Sequence, residues 1–67
     1  MSSLAIRLGK RLRELRHQEP QLQFSRKLGI SNSSLNRMEQ GEQNVSLKTL
    51  EVLCKRLKCD IADLFSK

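Results

Sequence analysis

Sixty-seven residues carry 13 Lys plus Arg against 7 Asp plus Glu, a net charge of +6 and a pI near 10.0. A chain this short supports one domain, residues 1–67, and leaves little core for an enclosed active site. With one His and two Cys it is also poor in nucleophiles and metal ligands. No Trp, no Tyr and two Phe all but exclude an aromatic platform for single strands. The basic excess therefore points to a polyanion of another kind. No apolar run approaches the ~20 residues of a membrane span, and no signal-peptide pattern opens the chain. Cys54 and Cys59 are too few for a secreted disulfide scaffold, so the expected compartment is the reducing cytoplasm.

Helical periodicity runs along the whole chain and strand alternation is nowhere evident. Leu4, Ala5, Leu8, Leu12 and Leu15 share one face of a first helix, with Ser2 or Ser3 as its cap and Arg7, Lys10 and Arg13 opposite. Residues 1–27 hold seven basic and two acidic residues, a net of +5, whereas residues 28–67 net only +1. A solvated basic face accounts for such a run as readily as a nucleic-acid site. Pro20 suits the opening of a second helix, which would bury Phe24, Ser25 and Leu28 and stop at Gly29. Ser31 caps a third helix, 32–40, with Leu35 and Met38 inward and Gly41 as its stop. After a loop to Val45, Ser46 caps a fourth helix, 46–58, with Leu47, Leu50, Leu53, Cys54 and Leu57 on one face. Asp60 and Asp63 form an acidic capping pair for a last helix, 60–66.

Gln21 to Gln40 is the informative stretch. Two short helices joined by a turn of three to four residues containing Gly are the helix-turn-helix unit. Ser25 is small where the helices must nearly touch, Gly29 permits the turn, and Phe24, Leu28, Ile30, Leu35 and Met38 hold the second helix while its outer face stays free. An ordinary helical hairpin is the competing reading of the same spacing.

The residues at these positions resemble the phage Cro/repressor type of regulator. The resemblance rests on Leu12-Arg13-Glu14-Leu15-Arg16, Gln21, Leu28-Gly29-Ile30-Ser31, Leu35, Met38-Glu39, Gly41, Asn44-Val45-Ser46-Leu47 and Leu64-Phe65, across about residues 6–65. The Asn-Val-Ser-Leu loop is similar to that of the short controller proteins of restriction–modification systems. The resemblance implies an all-α, five-helix fold and a homodimer that binds a double-stranded operator and controls its own or a neighbouring promoter. The chain departs from the pattern twice. His17-Gln18-Glu19-Pro20 is about two residues shorter than the usual link, and Ser25 replaces the usual Ala.

In this geometry the third helix lies in the major groove. With Leu35 and Met38 inward, the wheel turns Ser33, Asn36, Arg37 and Gln40 outward, and Asn32 projects from the first turn. The resemblance puts Asn32, Ser33 and Arg37 at base-reading positions, with Asn36 next. Asn suits adenine and Arg suits guanine. Gln21 matches the family's phosphate-contacting glutamine; Ser34, Asn44 and Ser46 are further phosphate candidates, with capping the alternative role for the last two. Arg16 and Glu39 match an interhelical ion pair.

Ile6, Leu22 and Val52 point away from their helices' inner faces, and the resemblance places the dimer contact in the last two helices, at Val45, Ile61, Leu64 and Phe65. No catalytic residue, metal or cofactor is expected, because His17 lies in a loop and the Cys spacing is not that of a zinc site. Two alternatives stand beside the regulator. One is an antitoxin-type interaction module with an unknown protein partner; the other is a nonspecific binder using the basic first helix.

Overall fold

A computed structural model describes residues 3–42 and 45–65. They form five helices and no strand: α1 (Ser3–Arg16), α2 (Gln21–Leu28), α3 (Asn32–Glu39), α4 (Leu47–Leu57) and α5 (Ile61–Phe65). Helix α1 packs on α3 and α5, α2 on α3 and α4, and α4 on α5. Leu8, Leu12, Phe24, Leu28, Leu35, Met38, Leu53 and Leu64 make the core, and Ile30, Leu50 and Leu57 pack around it.

Local chemistry ends each helix. Ser31 Oγ accepts from the Ser34 amide at 3.1 Å, and Ser46 Oγ accepts from the Thr49 amide at 3.2 Å. The Asp63 carboxylate reaches back to the Asp60 amide at 3.1 Å, the acidic half of a capping box. Gly29 takes φ 75°, and the Ile30 amide donates to the Ser25 carbonyl at 3.1 Å, the six-to-one bond of a Schellman motif. Helix α4 ends the same way without a glycine. Lys58 adopts φ 56°, and Cys59 donates to the Cys54 carbonyl at 3.0 Å.

The short link after α1 closes as a tight turn. His17 adopts φ 53°, the Glu19 amide donates to the Arg16 carbonyl at 2.9 Å, and Arg16 Nη1 donates to the Glu19 carbonyl at 3.1 Å. Pro20 then stands at the N-cap with ψ 141°, extended as a helix start requires. Helix α2 thus begins where expected despite the missing residues. Ser25 is fully enclosed, and its hydroxyl donates to the Leu22 carbonyl at 2.7 Å, so the polar substitute for Ala leaves no unsatisfied group.

Two apolar expectations are corrected. The inward face of α1 runs through Leu8, Gly9, Leu12 and Arg16, whereas Leu4 and Leu15 are 54% and 37% exposed. A guanidinium takes the inward position of the last turn, and the stripe rotates around it. Leu47 is 80% exposed because, as the first residue of α4, it precedes the turns that face the core.

The contact between α1 and α3 is held by one ion pair and one absent side chain. Arg16 donates to both oxygens of Glu39, at 2.7 Å from Nε and 3.0 Å from Nη2. The Glu39 side chain is 5% exposed and that of Arg16 23%. This bonding raises the Arg16 pKa above its already high ordinary range, so the cationic contribution persists until strongly alkaline pH. Two turns earlier, a Cβ on Gly9 would meet the Met38 and Glu39 carbonyl oxygens, the latter at 2.8 Å.

Removing one partner of such an enclosed pair leaves an uncompensated charge, so Glu39→Ala is expected to cost about 3 kcal/mol in urea unfolding. A wild-type midpoint would show that the pair carries no weight. Gly9→Ala tests the crossing itself. In an open helix it would add stability by up to ~1 kcal/mol; here we expect a loss of ~1–3 kcal/mol from overpacking against backbone. A gain in thermal midpoint would rule out the close approach.

Candidate nucleic-acid interface

Helices α2 and α3 with the Gly29-Ile30-Ser31 turn form a helix-turn-helix whose second helix is buried only along Leu35, Met38 and Glu39. Asn32, Ser33, Asn36, Arg37 and Gln40 are exposed. The side chains of Asn32 and Arg37 have no hydrogen-bond or ion-pair partner among the described residues, and Ser33 Oγ lies 3.4 Å from Ser31 Oγ. Ser34 is half-buried, and its amide is the donor that the Ser31 cap satisfies. The face is polar and exposed, with Asn36 and Gln40 bonded to each other.

Gln21 lies at the first turn of α2, with its side chain turned toward α3. Its Nε2 donates to Glu39 Oε1 at 3.2 Å and to Asn36 Oδ1 at 3.4 Å. A carboxamide has two N–H donors, and both are committed. The side-chain phosphate contact expected of Gln21 would break one of these bonds, whereas the free backbone amides of the first turn of α2 have no such conflict. Ser46 acts as a cap, and its hydroxyl also donates to Thr49 Oγ1 at 3.1 Å. Asn44, the remaining phosphate candidate, lies outside the described residues.

The basic charge of α1 is largely spent inside the molecule. Arg7 donates to the Phe65 carbonyl at 2.7 Å and Arg11 to that of Asp63 at 2.8 Å. Arg13 donates to the Glu39 carbonyl and Arg16 to its carboxylate. Arg7 and Arg11 thereby hold the carboxyl end of α5, a role the sequence alone did not suggest. Arginines on α1 carry no sign of which distant carbonyl they will meet.

The apolar residues of the last two helices divide differently from expectation. Leu64 is 0% exposed, so it offers nothing to a partner; α5 is little more than one turn, and Leu64 is its inward position. Val45 and Phe65 are half-buried against the core. Ile61 is 49% exposed and, with Leu47, Leu50 and Val52, lines an apolar groove of about 670 Å³. Cys54 borders this groove, and Cys59 lies beside it in a shallow hollow. Burial, with smaller contributions from neighbouring Cys54 and Asp63, raises the Cys59 pKa and keeps it a thiol. No cluster of three or more His, Cys, Asp or Glu among the described residues is placed to hold a metal ion. No described helix is long and apolar enough to cross a membrane.

Known proteins share this arrangement. The model of the Cro/C1-type HTH DNA-binding domain matches residues 7–66. Control protein C.MunI of Mycoplasma sp is 30% identical over 69 aligned positions, covering 98% of this chain and 93% of that protein. Antitoxin PezA of Streptococcus pneumoniae is 36% identical over 59 residues, but those are 85% of this chain and only 37% of PezA. The crystal structure of the restriction-modification controller protein C.AhdI from Aeromonas hydrophila superposes with a TM-score of 0.77 at 32% identity over 91% of each chain. The helix-turn-helix, its free outer face and these matches place the chain in the Cro/C1-type helix-turn-helix DNA-binding family.

Proposed function

We propose that residues 1–67 act as one DNA-binding domain, a cytoplasmic, non-enzymatic transcription regulator that binds its operator as a homodimer. The observation that carries this reading is the exposed polar outer face of α3. A polar helix face buried along only one stripe, with Arg37 and Asn32 free, is suited to base edges in a major groove. In this reading Asn32, Ser33 and Arg37 contact bases. Backbone amides at the start of α2 and the segment around Ser34, Asn44 and Ser46 contact phosphates. The likeness to C.MunI and C.AhdI supports control of a promoter near the gene itself, as in a restriction–modification system.

The molecule measures 26 × 22 × 21 Å. That is shorter than one turn of DNA, ~34 Å, so two half-sites require two copies. The groove lined by Leu47, Leu50, Val52 and Ile61 is the surface we assign to the second copy. Nonspecific binding by the basic first helix is the competing reading, and it gives the exposed Asn32 and Arg37 of α3 no role. The likeness to antitoxin PezA favours a second reading, an antitoxin-type module that also binds DNA. Since the chain spans 37% of PezA, only the DNA-binding part of that reading carries over.

Selection of duplexes from a random pool at about 150 mM salt tests the proposal. An inverted repeat with half-sites about 10 base pairs apart is expected. Arg37→Ala should then relax one base position in each half-site, at a cost of about 1–3 kcal/mol. Binding without enrichment that vanishes as salt rises would leave only charge at work. Leu47→Lys with Ile61→Lys tests the second copy in sedimentation. Both sites are exposed, so the variant should stay folded yet run as a monomer and lose operator affinity. An unchanged dimer mass would place the interface elsewhere.

A further inference from the structure

The side chains between the buried ion pair and the outer face of α3 form a chain of hydrogen bonds with a fixed direction. Arg16 can only donate, and the Glu39 carboxylate can only accept. Gln21 meets Glu39 Oε1 at 3.2 Å, so the group it turns toward the carboxylate must be its Nε2 amine. Reversing that amide would set Gln21 Oε1 against a buried anion. The same Nε2 meets Asn36 at 3.4 Å, so Asn36 must turn its Oδ1 toward it. Gln40 Nε2 donates to that Oδ1 as well, at 3.3 Å. Two formal charges in the interior thus determine the orientation of two neutral amides, the second of them on the exposed surface.

The consequence lies in what Asn36 has left to offer. Both lone pairs of its Oδ1 are occupied, and its Nδ2 donors have no acceptor among the described residues. Pairing with adenine requires an asparagine to donate through Nδ2 and accept through Oδ1 at once. Asn36 cannot accept a further bond without releasing Gln21 or Gln40. Flipping its amide would oppose N–H to N–H at Gln21, whose amine the Glu39 carboxylate holds in place.

We infer that Asn36 meets DNA as a pure hydrogen-bond donor, oriented by Gln21, and takes an acceptor-only partner rather than adenine. This rests on the regulator reading above. Three DNA groups share that chemistry: the N7/O6 edge of guanine, thymine O4 and a phosphate oxygen. Gln21 is a positioning residue in this scheme and touches no DNA through its side-chain amine.

The test is a double-mutant cycle of Asn36→Ala and Gln21→Leu. Binding is measured on the duplex selected by the wild-type chain, with thermal unfolding recorded to confirm that each variant is folded at the assay temperature. Asn36→Ala should weaken binding about tenfold, the worth of a well-placed neutral hydrogen bond. Gln21→Leu should weaken it in the wild-type background and add nothing once Asn36 is alanine. Repeating the selection with Asn36→Ala separates the two sources. Loss of a guanine or thymine preference at one position per half-site assigns the base edge, and a uniform loss with an unchanged motif assigns the phosphate. Since Gln21→Leu could loosen Glu39, Gln40→Ala provides a second cycle that leaves the ion pair intact; it too should be non-additive with Asn36→Ala. An adenine preference that disappears in Asn36→Ala overturns the inference, as do strictly additive losses in both cycles or undiminished binding by Asn36→Ala. A wild-type chain that enriches no sequence overturns the regulator reading itself, and this inference with it.

Discussion

The fork between Arg16 and Glu39 is the interaction on which the remaining geometry depends. A carboxylate this enclosed calls for a charged partner, and among the described residues Arg16 is the one that pairs with it. The same guanidinium donates to the Glu19 carbonyl, so it also closes the turn that leads into α2. Through Gln21 the carboxylate governs the first turn of α2. One buried charge pair therefore sets the crossing of α1 on α3, the link between α1 and α2, and the orientation of amides at the outer face. This fits the role best attested for buried polar groups, which is specifying one arrangement more than adding net stability.

Helix α1 is the frame against which the other elements are measured. Gly9 lets it approach the α3 backbone closely, and Arg13 and Arg16 tie it to the end of that helix. On its far side, Arg7 and Arg11 satisfy carbonyls at the end of α5. A five-residue helix is too short to persist alone. Burial of Leu64 and these two arginines are what hold it. These arginines keep their charge, but their side chains are positioned by carbonyls of this chain rather than left to reach freely.

Some positions were legible in the sequence because their cause is local. Ser31, Ser46, Gly29 and the Asp60/Asp63 pair act within four or five residues of themselves. Phe24, Ser25, Leu28, Leu35 and Met38 follow helical period on helices only eight residues long, where the stripe has no room to drift. The misassigned residues lie at helix ends or on the longest helix. Leu47 precedes the core-facing turns, Leu15 was displaced by Arg16, and Leu64 was read as surface because α5 is too short to show a stripe. Gly9 carried a faint signal, a lone glycine inside a helix, whose meaning required its partner backbone. Lys58 gave none, since a left-handed cap at lysine is imposed by the α4–α5 connection.

By itself the sequence determined the helices, their caps, the inward residues of the helix-turn-helix and the candidate reading face, for hydrophobic period and capping chemistry are written in neighbouring residues. Tertiary structure alone decided which arginines are bonds and which are free charge. It also decided that Gln21 turns inward and that Leu47, Leu50, Val52 and Ile61 line one apolar groove. The physical reason is the same in each case. A hydrogen-bond donor or an apolar face is defined by its residue, but its partner is defined by what packing brings within reach, and here those partners stand up to 58 positions away along the chain.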